Sequence, residues 1–225
     1  MERFLMVLGV FLAAHMLPTL PPVRRTLAAR LGERAYLILY SGLSLALLVW
    51  LLWEAARAPV VPLWTAPAWT ALVPLIAMVP AFVLICAGLA EPNPLSVSLG
   101  SGAFDPARPG ILGLTRHPVL WGFGLWSLSH IPVNGALVHL ILFAGFGLFA
   151  FGGMALVDAK RKRAMGHSPW RALDRDRHVT GADWRDRLLT RRTVTGGAAG
   201  LAAYLVVLIH THGAWIGVDP LAMLG

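Results

Sequence analysis

The residues that could do chemistry are few, and they sit where they are expensive. The stretch Leu114-Thr115-Arg116-His117-Pro118-Val119-Leu120-Trp121-Gly122, running on to Trp126-Ser127-Leu128-Ser129-His130, sets one guanidinium and two imidazoles inside an otherwise apolar sequence. His15, His139, His210 and His212 also fall in or beside apolar runs, whereas His167 and His178 lie in a polar segment rich in arginine. An ionisable group at membrane depth costs about 3 kcal/mol or more and normally faces a protein interior, so each is a candidate for function. Imidazole suits transition metals and haem iron, and bis-histidine haem ligation needs two imidazoles facing each other across one macrocycle. His15 and His130, on two different apolar segments, meet that description as metal ligands, and His117 or His212 could replace one of them. Arg116 suits a haem propionate or, equally, a lipid phosphate. No HxxxH, HExxH or CxxC spacing occurs, which argues against a zinc centre.

The elements that must position these groups follow from composition. Of 225 residues, 57% are hydrophobic and only 13% charged, with a mean hydropathy of +0.67. Soluble domains carry roughly 25% charge, so this is an integral membrane protein. At about 20 apolar residues per span, the length accommodates one all-α domain over residues 1–225, a polytopic membrane bundle of about six helices. The expected spans are Arg3–Leu20, Ala35–Ala56, Thr70–Ala90, a segment opening at His117 or Pro118 and closing near Ile131, Ala136–Val157, and Thr193 to about Trp215. Pro118 fits the first turn of its helix, where a missing N–H costs nothing. Pro59, Pro62, Pro67 and two tryptophans make an irregular connector, and Glu91–Arg116 reads as a Gly- and Pro-rich loop. Gly196 and Gly200 form a GxxxG pair suited to close helix packing. The lone Cys86 excludes an intrachain disulfide.

Charge gives the expected orientation. The basic cluster of Arg24, Arg25, Arg30 and Arg34 follows the first apolar run rather than preceding it, so that run reads as a retained helix and not a secretory signal. The segment 158–192 carries eleven Lys and Arg against five Asp and reads as a basic cytoplasmic loop within the domain. With six spans, the cytoplasmic segments hold 17 of the 19 basic residues, which leaves both termini on the non-cytoplasmic side. The net charge of +8 then follows from membrane topology and calls for no nucleic-acid partner. The expected partner is the lipid bilayer, whose anionic headgroups the basic loop could meet.

The motif Thr115–Gly122, the run Leu125–His130, Asn134-Gly135, the closing His212-Gly213-Ala214-Trp215-Ile216-Gly217-Val218, the segments Gly32–Tyr36 and Leu39–Ser41, and His15 together resemble the NnrU family over nearly the whole chain. The resemblance implies a multi-pass protein of the bacterial inner membrane, encoded in some bacteria with denitrification functions. It is also similar to plant 15-cis-zeta-carotene isomerase, a haem b protein with histidine ligands. Carried over, His15 and His130 would be the ligands and catalytic residues, with His117, His212 and Arg116 as further cofactor contacts. The activity implied is redox-type cis–trans isomerisation of a lipid-soluble polyene that enters from the bilayer. A non-catalytic haem-binding or NO-responsive factor supporting denitrification enzymes is the alternative within the family. Arg116-His117-Pro118 opening a membrane helix also looks like the isoprenylcysteine-type methyltransferases that use S-adenosylmethionine. Met165-Gly166-His167-Ser168-Pro169-Trp170 echoes their post-helix pattern, but those enzymes carry acidic residues just upstream of it, a Glu-Glu pair by resemblance, and here only Asp158 precedes Lys160-Arg161-Lys162-Arg163.

Overall fold

The computed structural model describes residues 1–17 and 20–222. Their regular structure is helical, and the one β-bridge among them joins Pro62 to Ala136. Four helical stretches are long and apolar enough to cross a membrane: 33–57, 68–90, 137–165 and 191–216. Four of the six expected spans are thus present at spanning length. The first helix, α1 (Glu2–Met16), has 15 residues, and the end of its expected span at Pro18 and Thr19 lies outside the described residues. α5 (Pro118–His130) has 13 residues, or about 20 Å at 1.5 Å per residue.

The chain forms two compact units, 1–63 with 136–142, and 64–135 with 143–225. In the first unit, α1 packs on α3 (Glu33–Arg57), burying Phe4, Val7 and Phe11 from one helix and Leu47 and Leu51 from the other. The basic segment between them is not an irregular loop. It forms α2 (Pro21–Leu31), opened by prolines in its first turn and closed at Gly32, whose φ of +80° a residue with a Cβ adopts only under strain.

The second unit is built around α4 (Leu72–Ala90), which α5 flanks on one side and α9 (Arg191–Val206) on the other. Glycine sets both approaches. A Cβ on Gly122 would lie 2.7 Å from the Ala81 carbonyl oxygen, and one on Gly196 would lie 2.7 Å from Ala87 Cα. At Gly200 the clash would be with the Phe82 carbonyl oxygen at 2.5 Å, so the GxxxG pair packs directly on the α4 backbone. Tyr204 extends this contact by donating to the Leu75 carbonyl at 2.8 Å. α9 then continues as a wider π-type helix over Val207–Ile216, which carries His210 and His212.

α5 turns sharply into α6 (Leu137–Met165), and the two run antiparallel. The pairing is read from its contacts: Ser127 Oγ donates to the Phe143 carbonyl, a Cβ at Gly124 would meet the Phe151 ring at 2.7 Å, and Leu120 lies beside Gly153. Each step back along α5 is matched by a step forward along α6, which brings Asp158 opposite Arg116 and His117. The segment 158–192 is also more ordered than a loop. It completes α6 and adds α7 (His167–Asp176) and α8 (Trp184–Leu188).

The α4–α9 interface yields a test. Gly200→Leu should lower the thermal midpoint of the detergent-solubilised protein, with a loss of about 2 kcal/mol from forcing backbones apart. Gly145→Leu, where a Cβ meets nothing within 4 Å, should leave the midpoint unchanged.

Candidate functional site

The best-defined polar site lies where α5 begins. Asn93 organises the preceding loop: its Oδ1 accepts from the backbone N–H of Leu95 and Ser96, and its Nδ2 donates to the Arg116 carbonyl at 2.9 Å. Asp158 on α6 then receives Arg116 through Nε at 3.1 Å and a terminal nitrogen at 2.7 Å, and His117 Nε2 at 3.0 Å. Arg116 also reaches Asp174 on α7 at 3.4 Å, and Asp174 in turn holds Arg177 at 2.8 Å. Arg177 is 2% exposed and donates to the Leu112 carbonyl at 2.6 Å. The result is a ladder of alternating charge, Asp158, Arg116, Asp174, Arg177, that ties α5, α6 and α7 together.

The proton positions follow from charge. Asp158, paired with a guanidinium, is an acceptor only, so the proton between it and His117 sits on Nε2. His117 Nδ1 is therefore the lone pair and accepts from Ser96 Oγ at 2.7 Å. Burial pushes the His117 pKa below its ordinary value, outweighing the upward pull of Asp158, so the imidazole is neutral near pH 7. The hydrogen bond to Asp158 raises the Arg116 pKa further. Ser96, His117 and Asp158 have the connectivity of a nucleophile, a base and an orienting acid. Ser96 and His117 are only 2% and 3% exposed, however, so this chain of hydrogen bonds anchors the helix start and offers no surface to a substrate.

Against the ladder lies Trp170, with the Arg116 guanidinium 5.2 Å and the Lys162 ammonium 4.1 Å from its ring centroid. A second polar contact closes the other flank of α4. Glu91, buried just past the helix end, accepts from the hydroxyls of Thr190 and Thr193 at the start of α9, the latter at 2.8 Å. Thr193 Oγ1 also accepts from the Ile111 N–H at 2.8 Å.

The histidines singled out from the sequence fall into two groups. His117 has protein partners on both ring nitrogens. His15, His130 and His212 share a different pattern, in which Nδ1 bonds a main-chain carbonyl: Phe11 O at 2.8 Å, Trp126 O at 2.7 Å and Val218 O at 2.7 Å. That contact fixes the proton on Nδ1 and turns the Nε2 lone pair outward. His130 stacks on Phe143 with centroids 5.1 Å apart and lies near Trp126, and His212 belongs to the same unit. His15 belongs to the first unit, where its ring contacts Phe11 and Tyr40. Sequence reasoning missed Ser96, Asn93, Asp174 and Arg177, and gave Asp158 no part beside Arg116. The available signal was an acid at the end of an apolar helix that pairs antiparallel with the Arg116-His117 helix.

Fold and site define an all-helical protein with four helices suited to crossing a membrane, bearing a buried charge ladder at the start of one shorter helix and histidine near its end. A family model described as NnrU protein matches residues 3–220, so the chain belongs to the NnrU family. No curated protein matches it. No solved structure matches it.

Two measurements test the ladder. Asp158→Asn should cost about 3 kcal/mol, because it removes the anion of His117 and leaves Arg116 only its longer contact to Asp174. The pH dependence has a definite sign. Folded His117 binds its proton less readily than the unfolded chain, so stability is full above about pH 6.5 and falls as pH drops below it. Thermal unfolding at pH 7.5 and 5.5 should show this fall in the wild type and a shallower one in His117→Gln.

Proposed function

We propose that this protein binds haem b through His130 and acts on a lipid-soluble polyene as a redox-type cis–trans isomerase in the bacterial inner membrane. The observation that supports it most is the state of two imidazoles in one unit, His130 and His212. Each holds Nδ1 on a main-chain carbonyl, and both belong to the second unit. Histidines that bind metal characteristically donate their other ring N–H to a carbonyl or carboxylate, which orients the ring and raises the basicity of the ligating nitrogen. The donor set therefore fits haem. The sequence pairs His130 with His15, and the geometry within the second unit favours His212.

Bound haem would supply one-electron chemistry that transiently weakens a double bond. The residues of this chain do the rest. Trp126 and Phe143 wall the His130 ring and provide apolar surface for a hydrocarbon substrate. The Arg116–Asp158 ladder fixes the far end of α5 and so the placement of His130. Its basic groups are engaged by Asp158 and Asp174, which favours a structural over a propionate-binding role for Arg116.

The same reading completes the topology. α1 and α5 join the four long helices at membrane depth, the basic segment 158–192 faces the cytoplasm, and both termini face outside. The positive-inside distribution supports this arrangement. A haem-binding role without turnover, in support of denitrification enzymes, rests on the same ligands and differs only in the absence of a substrate.

The test is the oxidised and dithionite-reduced absorption spectrum of the purified protein with haem supplied. A Soret band with sharp reduced α and β bands is expected, lost in His130→Ala and in His212→Ala and kept in His15→Ala. Loss in His15→Ala with retention in His212→Ala would transfer the second ligand to His15. A colourless wild type would sink the haem reading altogether.

A further inference from the structure

A groove of about 560 Å³ opens where α4 ends and α9 begins, lined by Cys86, Leu89, Ala90, Leu99, Gly100, Ser101 and Arg192. It is shallow and open along its length. Its wall is preformed: Leu99 N–H donates to the Leu89 carbonyl at 3.1 Å, Ser98 Oγ donates to the Glu91 carbonyl, and Gly100 N–H donates to Ser98 Oγ at 2.8 Å. Gly100 lies so close to the Ala90–Pro92 backbone that a Cβ there would sit 2.5 Å from the Ala90 carbonyl oxygen. The loop is therefore latched onto the helix end rather than draped over it.

One cation stands at the mouth. Arg192 is exposed, donates to the Ser101 carbonyl at 2.8 Å, and has no carboxylate partner among the described residues. It sits in the first turn of α9, whose Thr193 N–H is capped by Thr190 Oγ1 and whose threonine hydroxyls are taken by Glu91, so the Arg192 guanidinium is the positive group that the groove offers. Below it the lining is hydrocarbon, and Leu99 is 81% exposed. An anionic head joined to an apolar tail matches this arrangement of charge over hydrocarbon.

We propose that this groove is a binding site for an anionic phospholipid. Its phosphate pairs with Arg192, and the first methylenes of an acyl chain lie along Leu89, Ala90 and Leu99. Lipid seated there packs against the junction that Glu91 and Thr193 close, so it stabilises the α4–α9 contact. The site is separate from the histidines and does not depend on haem.

Cys86 lines the groove and is the single cysteine of the chain, so its modification rate reports on this place alone. The full chain is reconstituted in nanodiscs of phosphatidylcholine, with or without phosphatidylglycerol, and treated with a membrane-permeant maleimide. Phosphatidylglycerol should slow labelling of the wild type by about fivefold, the affinity that one cation gains at an anionic surface. Arg192→Gln should remove the effect, whereas the exposed, distant Arg171→Gln should keep it. Inorganic phosphate added to phosphatidylcholine discs should not protect. No slowing by phosphatidylglycerol, or equal slowing in Arg192→Gln, would overturn the site. Equal protection by inorganic phosphate would make it a free-anion site and overturn the lipid.

Discussion

The second unit depends on where one carboxylate lies. Asp158 sits at the end of a long apolar helix, in a position where an unpaired charge would cost several kcal/mol. It is kept there by Arg116 and by the Nε2–H of His117, both from the start of the neighbouring helix. Each member needs the others. Without Asp158, the polarised imidazole has no acceptor and the half-buried guanidinium keeps only its longer contact to Asp174 at 3.4 Å. Without Arg116, the carboxylate has no strong cation. The pairing therefore sets the axial register of α5 on α6, since sliding either helix by one turn would separate the charges by more than 5 Å. Everything carried by α5 inherits that register, including the imidazole of His130 near its other end.

The glycines make a complementary contribution. Where the ladder fixes position along the helix axes, Gly122, Gly196 and Gly200 fix how close the axes come, because each places backbone against backbone. In a bilayer the lipid tails are as apolar as the side chains, so close packing and satisfied polar groups, rather than exclusion of water, hold helices together. α4 shows both devices: glycine contacts along its length and the Glu91 carboxylate with its threonine partners just past its end.

Much of this was legible in the sequence, and for identifiable reasons. The apolar runs 33–57, 68–90, 137–165 and 191–216 exceed the length of a buried soluble helix, so composition alone finds them. Pro118 marks the start of α5 and the GxxxG pair marks a packing face, because both signals are local. Segments 21–31 and 158–192 were harder. Their polar composition resembles that of a loop, but α2 and α7 are helices. The ladder was not legible, since Asp158 acquires its meaning only from a residue 42 positions earlier, and Asp174 and Arg177 from a fold-back of α7 that no short motif announces. The histidine pattern was half legible. Their place in or beside apolar runs is a sequence fact, but the tautomer that each adopts is set by carbonyl geometry.

The separation of these contacts along the chain also orders them in time. At roughly 5 to 20 residues per second, the ribosome finishes Asp158 a few seconds after Arg116, and Thr193 several seconds later again. Until Asp158 emerges, Arg116 has no anion to pair with and α5 has no fixed register. Glu91 waits longest for its partner, about a hundred residues downstream. The α4–α5 pair can therefore pack first, the α5–α6 hairpin then gains its charge pairing, and α9 is the closing piece. A nascent chain stalled between α6 and α9 would have a register without a seal, a form that membrane quality control could recognise by the uncovered α4 backbone at Phe82 and Ala87.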